Sequence, residues 1–191
     1  MLQQGVEDVP DVSAEWYLDV VSFAASTPEP VRAAAGLLTD AVFGVFAVAL
    51  AFLWWRSSTP DRVRVLLAPV AVGLAYGLSE VVKGVWEVDR PCRVLGSSPT
   101  IVECPEWGDW SFPSNHATVA GAAAVAILWC DRRLGVVAVV VAVFAAASRV
   151  FVGAHYPHDV LAGLALGAAV AGFLPLVSRV VTPVVTRRVR T

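Results

Sequence analysis

The sequence predicts an all-α integral membrane protein, and three observations support this fold class. The 191 residues are 57% hydrophobic and only 16% charged, whereas a soluble domain carries roughly 45–50% apolar and about 25% charged residues. The apolar residues form five stretches that meet or approach the length of about 20 residues needed to cross a bilayer. Basic residues cluster in some connecting segments and are scarce in others. Disordered, collagen-like and coiled-coil chains are excluded.

The five predicted spans are joined by short polar segments and one long loop. They cover residues 33–55, 63–85, 114–130, 134–152 and 159–181. Because the third is short, we expect its start to lie below the membrane surface. The chain shows no repeat and is predicted to form one membrane domain, 1–191, in which the Pro-, Gly- and Ser-containing loop 86–113 acts as an extracytoplasmic cap.

Residues 12–26 predict an amphipathic helix that lies along the membrane interface and does not cross the bilayer. One helical arc carries apolar residues and the opposite arc carries polar ones. The apolar arc consists of Trp16, Val20, Phe23 and Ala24, and the polar arc of Glu15, Asp19, Ser22 and Ser26.

The distribution of arginine predicts the orientation. Nine arginines lie in two short loops and the C-terminal tail, with only Asp61 and Asp131 against them. They are Arg56, Arg62, Arg64, Arg132, Arg133, Arg179, Arg187, Arg188 and Arg190. By the positive-inside rule these segments are cytoplasmic. We therefore expect a multi-pass cell-membrane protein whose N-terminus and 86–113 loop are extracytoplasmic and whose C-terminus is cytoplasmic.

The cysteines fit this orientation. Cys92 and Cys104 lie in the outward loop, where an oxidising compartment permits a disulfide, and Cys130 lies at a cytoplasmic span end. We predict a Cys92–Cys104 bond and a free Cys130, with two independent thiols in the loop as the alternative.

Polar residues that are costly in or beside a membrane gather at the predicted outward span ends. They are Lys83, Arg90, Ser114, Asn115, His116, Ser148, Arg149, His155 and Asp159. Lys83, Arg90 and Arg149 lack an equal number of adjacent carboxylates, and arginine offers paired donors to tetrahedral oxyanions. Ser114 also suits the start of a helix, where free N–H groups and the helix dipole attract anions. These features predict a phosphate ligand.

Two histidines in this cluster suit cleavage of a phosphate ester. A neutral imidazole can attack phosphorus, and a protonated one can protonate the departing oxygen. Pro157 suits the first turn of the last span, which leaves Asp159 able to reach back to His155 and to fix its tautomer.

The same residues resemble the three-part signature of the type 2 phosphatidic acid phosphatases, a family related to vanadium haloperoxidases and bacterial acid phosphatases. Its parts here are Lys83 with Arg90-Pro91, then Pro113-Ser114-Asn115-His116, then Ser148-Arg149 with His155 and Asp159. The match runs from residue 83 to 159 with all three spacings intact and in order.

The resemblance implies an all-helical membrane fold and a metal-independent mechanism, without a cofactor, through a phosphohistidine intermediate. It implies His155 as the nucleophile, Asp159 as its partner and His116 as the general acid. The phosphate ligands that it implies are Lys83, Arg90, Ser114 and Arg149.

Asn115 departs from the family, which commonly has Gly at this position. Asn is the residue with a side chain that best tolerates the backbone region open to Gly. Its amide can also donate a hydrogen bond to the substrate, so we include Asn115 among the phosphate-binding residues.

We therefore expect a phosphatase acting on a membrane lipid at the extracytoplasmic face, with a polyprenyl diphosphate carrier as the favoured substrate. Alternatives are phosphatidylglycerol phosphate, phosphatidic acid or a decaprenyl-phosphoryl sugar, or transfer of the phosphoryl group to an alcohol. An anion transporter is the non-enzymatic alternative, although its charges are expected near the midplane of repeated halves. No nucleic-acid partner is expected at a net charge of −2, and the oligomeric state is open.

Three side chains outside these roles have open or structural interpretations. Asp40, inside the first span, either contacts the polar cluster or serves helix packing. Glu80 either pairs with Lys83 or packs. For His158 we favour a structural role. With three histidines and no cysteine pair at ligand spacing, a zinc site is disfavoured.

Overall fold

A computed structural model of the chain describes residues 9–96 and 99–189. Over these residues the regular elements are eight helices, and the predicted all-helical membrane fold is confirmed. The helices are α1 (Asp11–Ser26), α2 (Glu29–Arg56), α3 (Thr59–Trp86), α4 (Pro91–Val94), α5 (Asn115–Cys130), α6 (Arg132–Phe151), α7 (Pro157–Gly172) and α8 (Leu174–Val189). Arg190 lies outside the described residues, as do the side chains of Arg187 and Arg188.

Four stretches of the described chain are long and apolar enough to cross a bilayer. They centre on α2, α3, α6 and the α7–α8 pair, and α5 is a shorter apolar helix of 16 residues. The last predicted span is interrupted, because a turn at Phe173 separates α7 from α8. Pro175 accounts for the interruption, since a proline has no N–H to continue the α7 ladder and fits the first turn of a new helix.

Helix α5 lies at the centre of the bundle and packs against α3, α6 and α7. Small residues allow the close approach of α5 and α7. A Cβ atom built at Gly167 would stand 2.0 Å from the carbonyl oxygen of Thr118, and one at Gly163 would stand 2.5 Å from that of Ser114. Such stripes of small residues bring membrane helices into backbone contact. Here they place the first residues of both helices side by side, and Ser114 N–H donates to the carbonyl of Asp159 at 3.1 Å.

The opposite end of the bundle holds the turns between α2 and α3 and between α5 and α6. Arg56 of the first turn lies 4.0 Å from Asp131 of the second. The arginine-rich loops therefore meet at the end remote from Lys83, His116 and His155.

Helix α1 packs on α6 and α7 through a face that differs from its apolar arc. Its buried residues are Ser13, Tyr17, Val21 and Ala24, whereas Trp16 and Phe23 are exposed. The Tyr17 hydroxyl donates to the carbonyl of Gly153 at 3.1 Å. The helix is thus held on the bundle by this hydrogen bond and by the apolar packing of Tyr17 and Val21, and its exposed aromatic rings suit contact with lipid.

The 86–113 loop is fixed against the bundle at several points. Cys92 and Cys104 form the predicted disulfide, and Cys130 is a free thiol. The Arg93 guanidinium donates to the carbonyls of Pro105 and Glu106 and lies over the ring of Trp107. These contacts fold the loop onto itself. The N–H groups of Ile101 and Val102 donate to the carbonyl of Val152 at the end of α6 at 3.0 and 3.3 Å, which fixes the loop to the bundle.

Candidate active site

A cavity of about 390 Å³ opens where α3 ends and where α5 and α7 begin. Its walls bring together side chains from every part of the sequence signature, together with apolar residues. The lining residues are Phe43, Tyr76, Lys83, Arg90, Pro105, Asp109, Asn115, His116, Val119, Arg149 and His155.

His155 lies in the turn between α6 and α7 and is buried. Its Nδ1 is 3.4 Å from Oδ2 of Asp159, and its Nε2 is 3.3 Å from the Arg90 guanidinium. Burial lowers the pKa of His155 to about 4 despite the opposing effect of Asp159, so the ring is neutral at pH 7. Because the carboxylate only accepts and the guanidinium only donates, the proton is assigned to Nδ1 and the lone pair to Nε2.

Asp159 is fully buried and held by several donors. Its Oδ2 accepts hydrogen bonds from Ser111 Oγ at 2.5 Å and from the backbone N–H of Tyr156 at 2.9 Å. Its Oδ1 lies 3.1 Å from Nε2 of His158. The carboxylate also lies in the first turn of α7, where the helix dipole favours a negative charge. The partner of His155 is thereby fixed in position.

His116 is the second residue of α5 and borders the same cavity. Its Nε2 lies 2.7 Å from Oδ1 of Asp40 in α2, and its ring contacts Phe43 at 5.0 Å between centroids. Of the two interpretations left open for Asp40, the structure supports contact with the polar cluster.

Three buried cations surround the cavity: Lys83, Arg90 and Arg149. Asp109 from the loop lies 3.1 Å from Lys83 Nζ and 2.9 Å from the Arg90 guanidinium. Burial alone would raise the pKa of Asp109, but Arg90 and Lys83 outweigh it and lower that pKa below its ordinary value. The expected scarcity of carboxylates near the cations is therefore wrong, since Asp109 and Asp40 come from distant segments.

Arg149 keeps an unused donor. One terminal nitrogen donates to Thr39 Oγ1 at 3.2 Å and lies 3.8 Å from Asp40. Its buried Nε has no hydrogen-bond partner among the described residues. A buried donor without a partner costs about 1–3 kcal/mol.

Ser114 and Asn115 differ from the other predicted ligands. Ser114 is fully buried, does not line the cavity, and accepts a hydrogen bond from Ala117 N–H as the N-cap of α5. Asn115 lines the cavity, but its amide donates to Glu80 and accepts from Ser79, both at 2.6 Å. Glu80 in turn lies 3.9 Å from Lys83. The Asn115 side chain therefore links α5 to α3.

Four residues of this neighbourhood have no place in the sequence signature. Asp109 binds the cations, Ser111 binds Asp159, and Thr39 binds Arg149. The fourth, His158, stacks against Tyr156 and bonds Ser13 of α1 at 2.7 Å. No spacing rule connects these residues to the motifs, although the Asp109–Ser111 segment lies close before Pro113.

Within residues 9–96 and 99–189, no group of three or more His, Cys, Asp or Glu side chains is arranged to hold a metal ion.

Comparison with known proteins places the chain in a family. The model of the PAP2 superfamily matches residues 64–182. The chain is 32% identical over 137 residues to the undecaprenyl-diphosphatase BcrC of Bacillus subtilis strain 168, covering 72% of this chain and 69% of that relative. It is 36% identical over 96 residues to an undecaprenyl-diphosphatase of Sulfolobus acidocaldarius, covering 50% of this chain and 46% of that relative.

A solved structure has the same fold. The PAP2-type phosphatidylglycerolphosphate phosphatase of Bacillus subtilis superimposes with a TM-score of 0.68 at 19% identity. The match covers 94% of this chain and 92% of that structure.

Proposed function

Because this chain belongs to the PAP2 superfamily and is a phosphate-ester or diphosphate hydrolase of the membrane, we propose that it releases phosphate from a polyprenyl diphosphate through a phosphohistidine. Relatives named as undecaprenyl-diphosphatases support this substrate class. The lipid tail stays in the bilayer while the diphosphate enters the cavity.

One observation supports the proposal above all others. A single cavity is bordered by a buried neutral imidazole, a second imidazole and three buried cations. Hydrolysis of phosphate monoesters is among the slowest uncatalysed reactions. Preorganised cations that stabilise the charge of the transition state are the largest single contribution available to such a site.

The first step forms the phosphoenzyme. The Nε2 lone pair of His155 attacks the terminal phosphorus and forms an N–P bond, while the bond from phosphorus to the bridging oxygen breaks. The departing oxygen takes a proton from His116. Asp159 holds the Nδ1 proton and stabilises the positive charge that develops on the His155 ring.

The second step releases phosphate. Water attacks the phosphorus of the phosphohistidine as His116, now neutral, accepts one of its protons. The N–P bond breaks, the electron pair returns to Nε2, and inorganic phosphate leaves with both enzyme groups restored.

The phosphate has to compete with Asp109 for the same cations. The Asp109 carboxylate bridges Lys83 and Arg90 with one oxygen, as a phosphate oxygen would. Since the Asp109 side chain is 47% exposed, the loop can yield these donors to a substrate that carries more charge.

We place the cavity on the extracytoplasmic side. The arginine-rich turns at the opposite end of the bundle, where Arg56 approaches Asp131, support this orientation through the positive-inside rule. An outward site suits recycling of a carrier lipid released on that face. A free cysteine introduced in place of exposed Trp107 should react with an impermeant maleimide from outside intact cells. Labelling only after lysis would show that the loop faces the cytoplasm and would overturn the proposed orientation.

Phosphate release by purified protein tests the function directly. The panel is a polyprenyl diphosphate, phosphatidylglycerol phosphate and phosphatidic acid, each with and without chelator. We expect the diphosphate to give the highest kcat/KM, with turnover that survives chelation and is inhibited by vanadate. A higher kcat/KM on a glycerol-linked phosphate would overturn the proposal that a polyprenyl diphosphate is the preferred substrate. Loss of turnover with chelator would overturn the metal-independent mechanism.

A further inference from the structure

Helix α2 lies outside the family match, which begins at residue 64, and yet it contacts the site. Thr39 accepts a hydrogen bond from Arg149, and Asp40 lies 2.7 Å from His116 Nε2. We propose that Asp40 is the positioning residue of the general acid: it orients the His116 ring and favours its protonated form. This inference rests on the role of His116 in the proposed function.

The position of Asp40 is fixed by its neighbours on α2. Thr39 is buried and bonded to both Arg149 and Ser148. Phe43 lies nearly one turn further along α2, on the same helix face as Asp40, and packs against the His116 ring. The carboxylate is therefore directed at His116 by a helix face that is itself packed against α6.

The location of this charge argues for function. A carboxylate within a membrane-spanning helix is costly to insert. Packing alone gives no reason to keep it, since the Asp40 side chain is 69% exposed and fills no core position. A charged partner within hydrogen-bond distance does give a reason, because a carboxylate favours the imidazolium form of a histidine.

The His116 imidazolium carries a proton on each ring nitrogen, and the contact with Asp40 identifies the one on Nε2 as the hydrogen-bonded proton. With Nε2–H held by Asp40, the Nδ1 proton is the one available to the departing oxygen. This is the arrangement of a catalytic triad, in which a carboxylate binds one nitrogen and the other nitrogen does the chemistry. Arg149, 3.8 Å from Asp40, is the other cation that faces this carboxylate.

The inference predicts a dependence on the leaving group. Expulsion of an alcohol from a monoester needs protonation, because an alkoxide is strongly basic. Expulsion of a phosphate from a diphosphate needs little, because the second pKa of a phosphate ester is about 6. Asp40 should therefore matter for monoesters much more than for diphosphates.

Farnesyl monophosphate and farnesyl diphosphate form a matched pair of probes for this test. We expect the wild type to cleave both, and Asp40→Asn to lose about 10- to 100-fold in kcat/KM on the monophosphate but less than about 3-fold on the diphosphate. Asp40→Glu should recover most of the monophosphate rate. Glu29→Gln, an exposed acid at the start of the same helix, is the control and should leave both rates unchanged.

A double-mutant comparison separates this inference from the proposed function. His116→Asn should show the same preferential loss in kcat/KM, which reports formation of the phosphohistidine and not its hydrolysis by water, and adding Asp40→Asn to it should cost nothing further. Equal losses on both probes in Asp40→Asn, additive losses in the double variant, or a wild type inactive on the monophosphate would each overturn the inference while leaving diphosphate hydrolysis intact. A wild type inactive on both probes would overturn the function itself.

Discussion

Two His–Asp pairs border the same cavity and are built in opposite ways. His155 and Asp159 lie in one short segment, and their side chains are 2% and 0% exposed. His116 and Asp40 come from different helices, and their side chains are 28% and 69% exposed. The first pair is fixed by backbone and side-chain donors, and the second is open to the cavity and its surroundings.

The difference matches two chemical requirements. A nucleophile must keep a lone pair in one direction and stay neutral, and burial beside a fixed carboxylate provides both. A group that gives a proton to one molecule and takes a proton from water must be reachable by both. We therefore expect the buried pair to be intolerant of any change and the open pair to be sensitive mainly to the leaving group.

The largest effect should come from removing the buried imidazole. His155→Asn should lower kcat by about 10⁴-fold or more on every substrate, because no other neutral base is positioned to form the covalent bond. His158→Asn is the matched control and should lose less than about 10-fold, since His158 contacts Asp159, Ser13 and Tyr156 and does not line the cavity. Similar losses in the two variants, measured as initial phosphate release, would contradict the assignment.

Removing the charge of the buried carboxylate should have the next largest effect. Asp159→Asn should lower kcat by about 10³-fold, because an amide neither fixes the Nδ1 proton nor stabilises the charged ring. The exposed residue Asp19 provides an Asp→Asn control that should retain full activity. If Asp159→Asn stays within tenfold of the wild type while remaining folded, the pair has no catalytic role.

The acid limb of the pH profile distinguishes the buried pair from an ordinary histidine. Burial lowers the pKa of His155 to about 4, and only the neutral form attacks. Log(kcat/KM), corrected for ionisation of the substrate, should therefore stay level as the pH falls from 7 and then drop about tenfold per unit below pH 4. An acid limb of log(kcat/KM) near pH 6.5 would show that the His155 ring is exposed to water and that the His155–Asp159 pair is not buried.

The smallest effect should come from the hydrogen bond behind Asp159. Ser111→Ala removes one of its donors and should lower kcat about 5-fold, the equivalent of about 1 kcal/mol. Ser26→Ala removes a hydroxyl that bonds only its own helix and should change nothing. A loss above 100-fold would mean that Ser111 itself takes part in the chemistry.

Local spacing explains which parts of the site the sequence predicts. His155 and Asp159 are four residues apart, so a turn and a helix start bring them together. The Cys92–Cys104 bond and the helical class follow from loop position and composition in the same way. Asp40, by contrast, reaches His116 across 76 residues, and Asp109 reaches Lys83 only after the loop has folded.

Two further features depend on packing and not on pattern. The apolar arc of α1 predicts a lipid contact, which stays a prediction, whereas the contact with the bundle is made by Ser13, Tyr17 and Val21. The interruption at Phe173 lies inside a continuous apolar stretch, where only Pro175 signals it. Hydropathy determines that a segment enters the membrane, whereas polar contacts and single prolines determine how it is held there.

Direct trapping of the covalent intermediate tests the central claim. Farnesyl diphosphate labelled in its terminal phosphate is mixed with the wild type and with His116→Asn, quenched at alkaline pH, and the digested peptides are sequenced by mass spectrometry. The account predicts label on His155, with more of it in the His116 variant because water is no longer activated. Label on any other residue, or phosphate release that persists in His155→Asn, would contradict it.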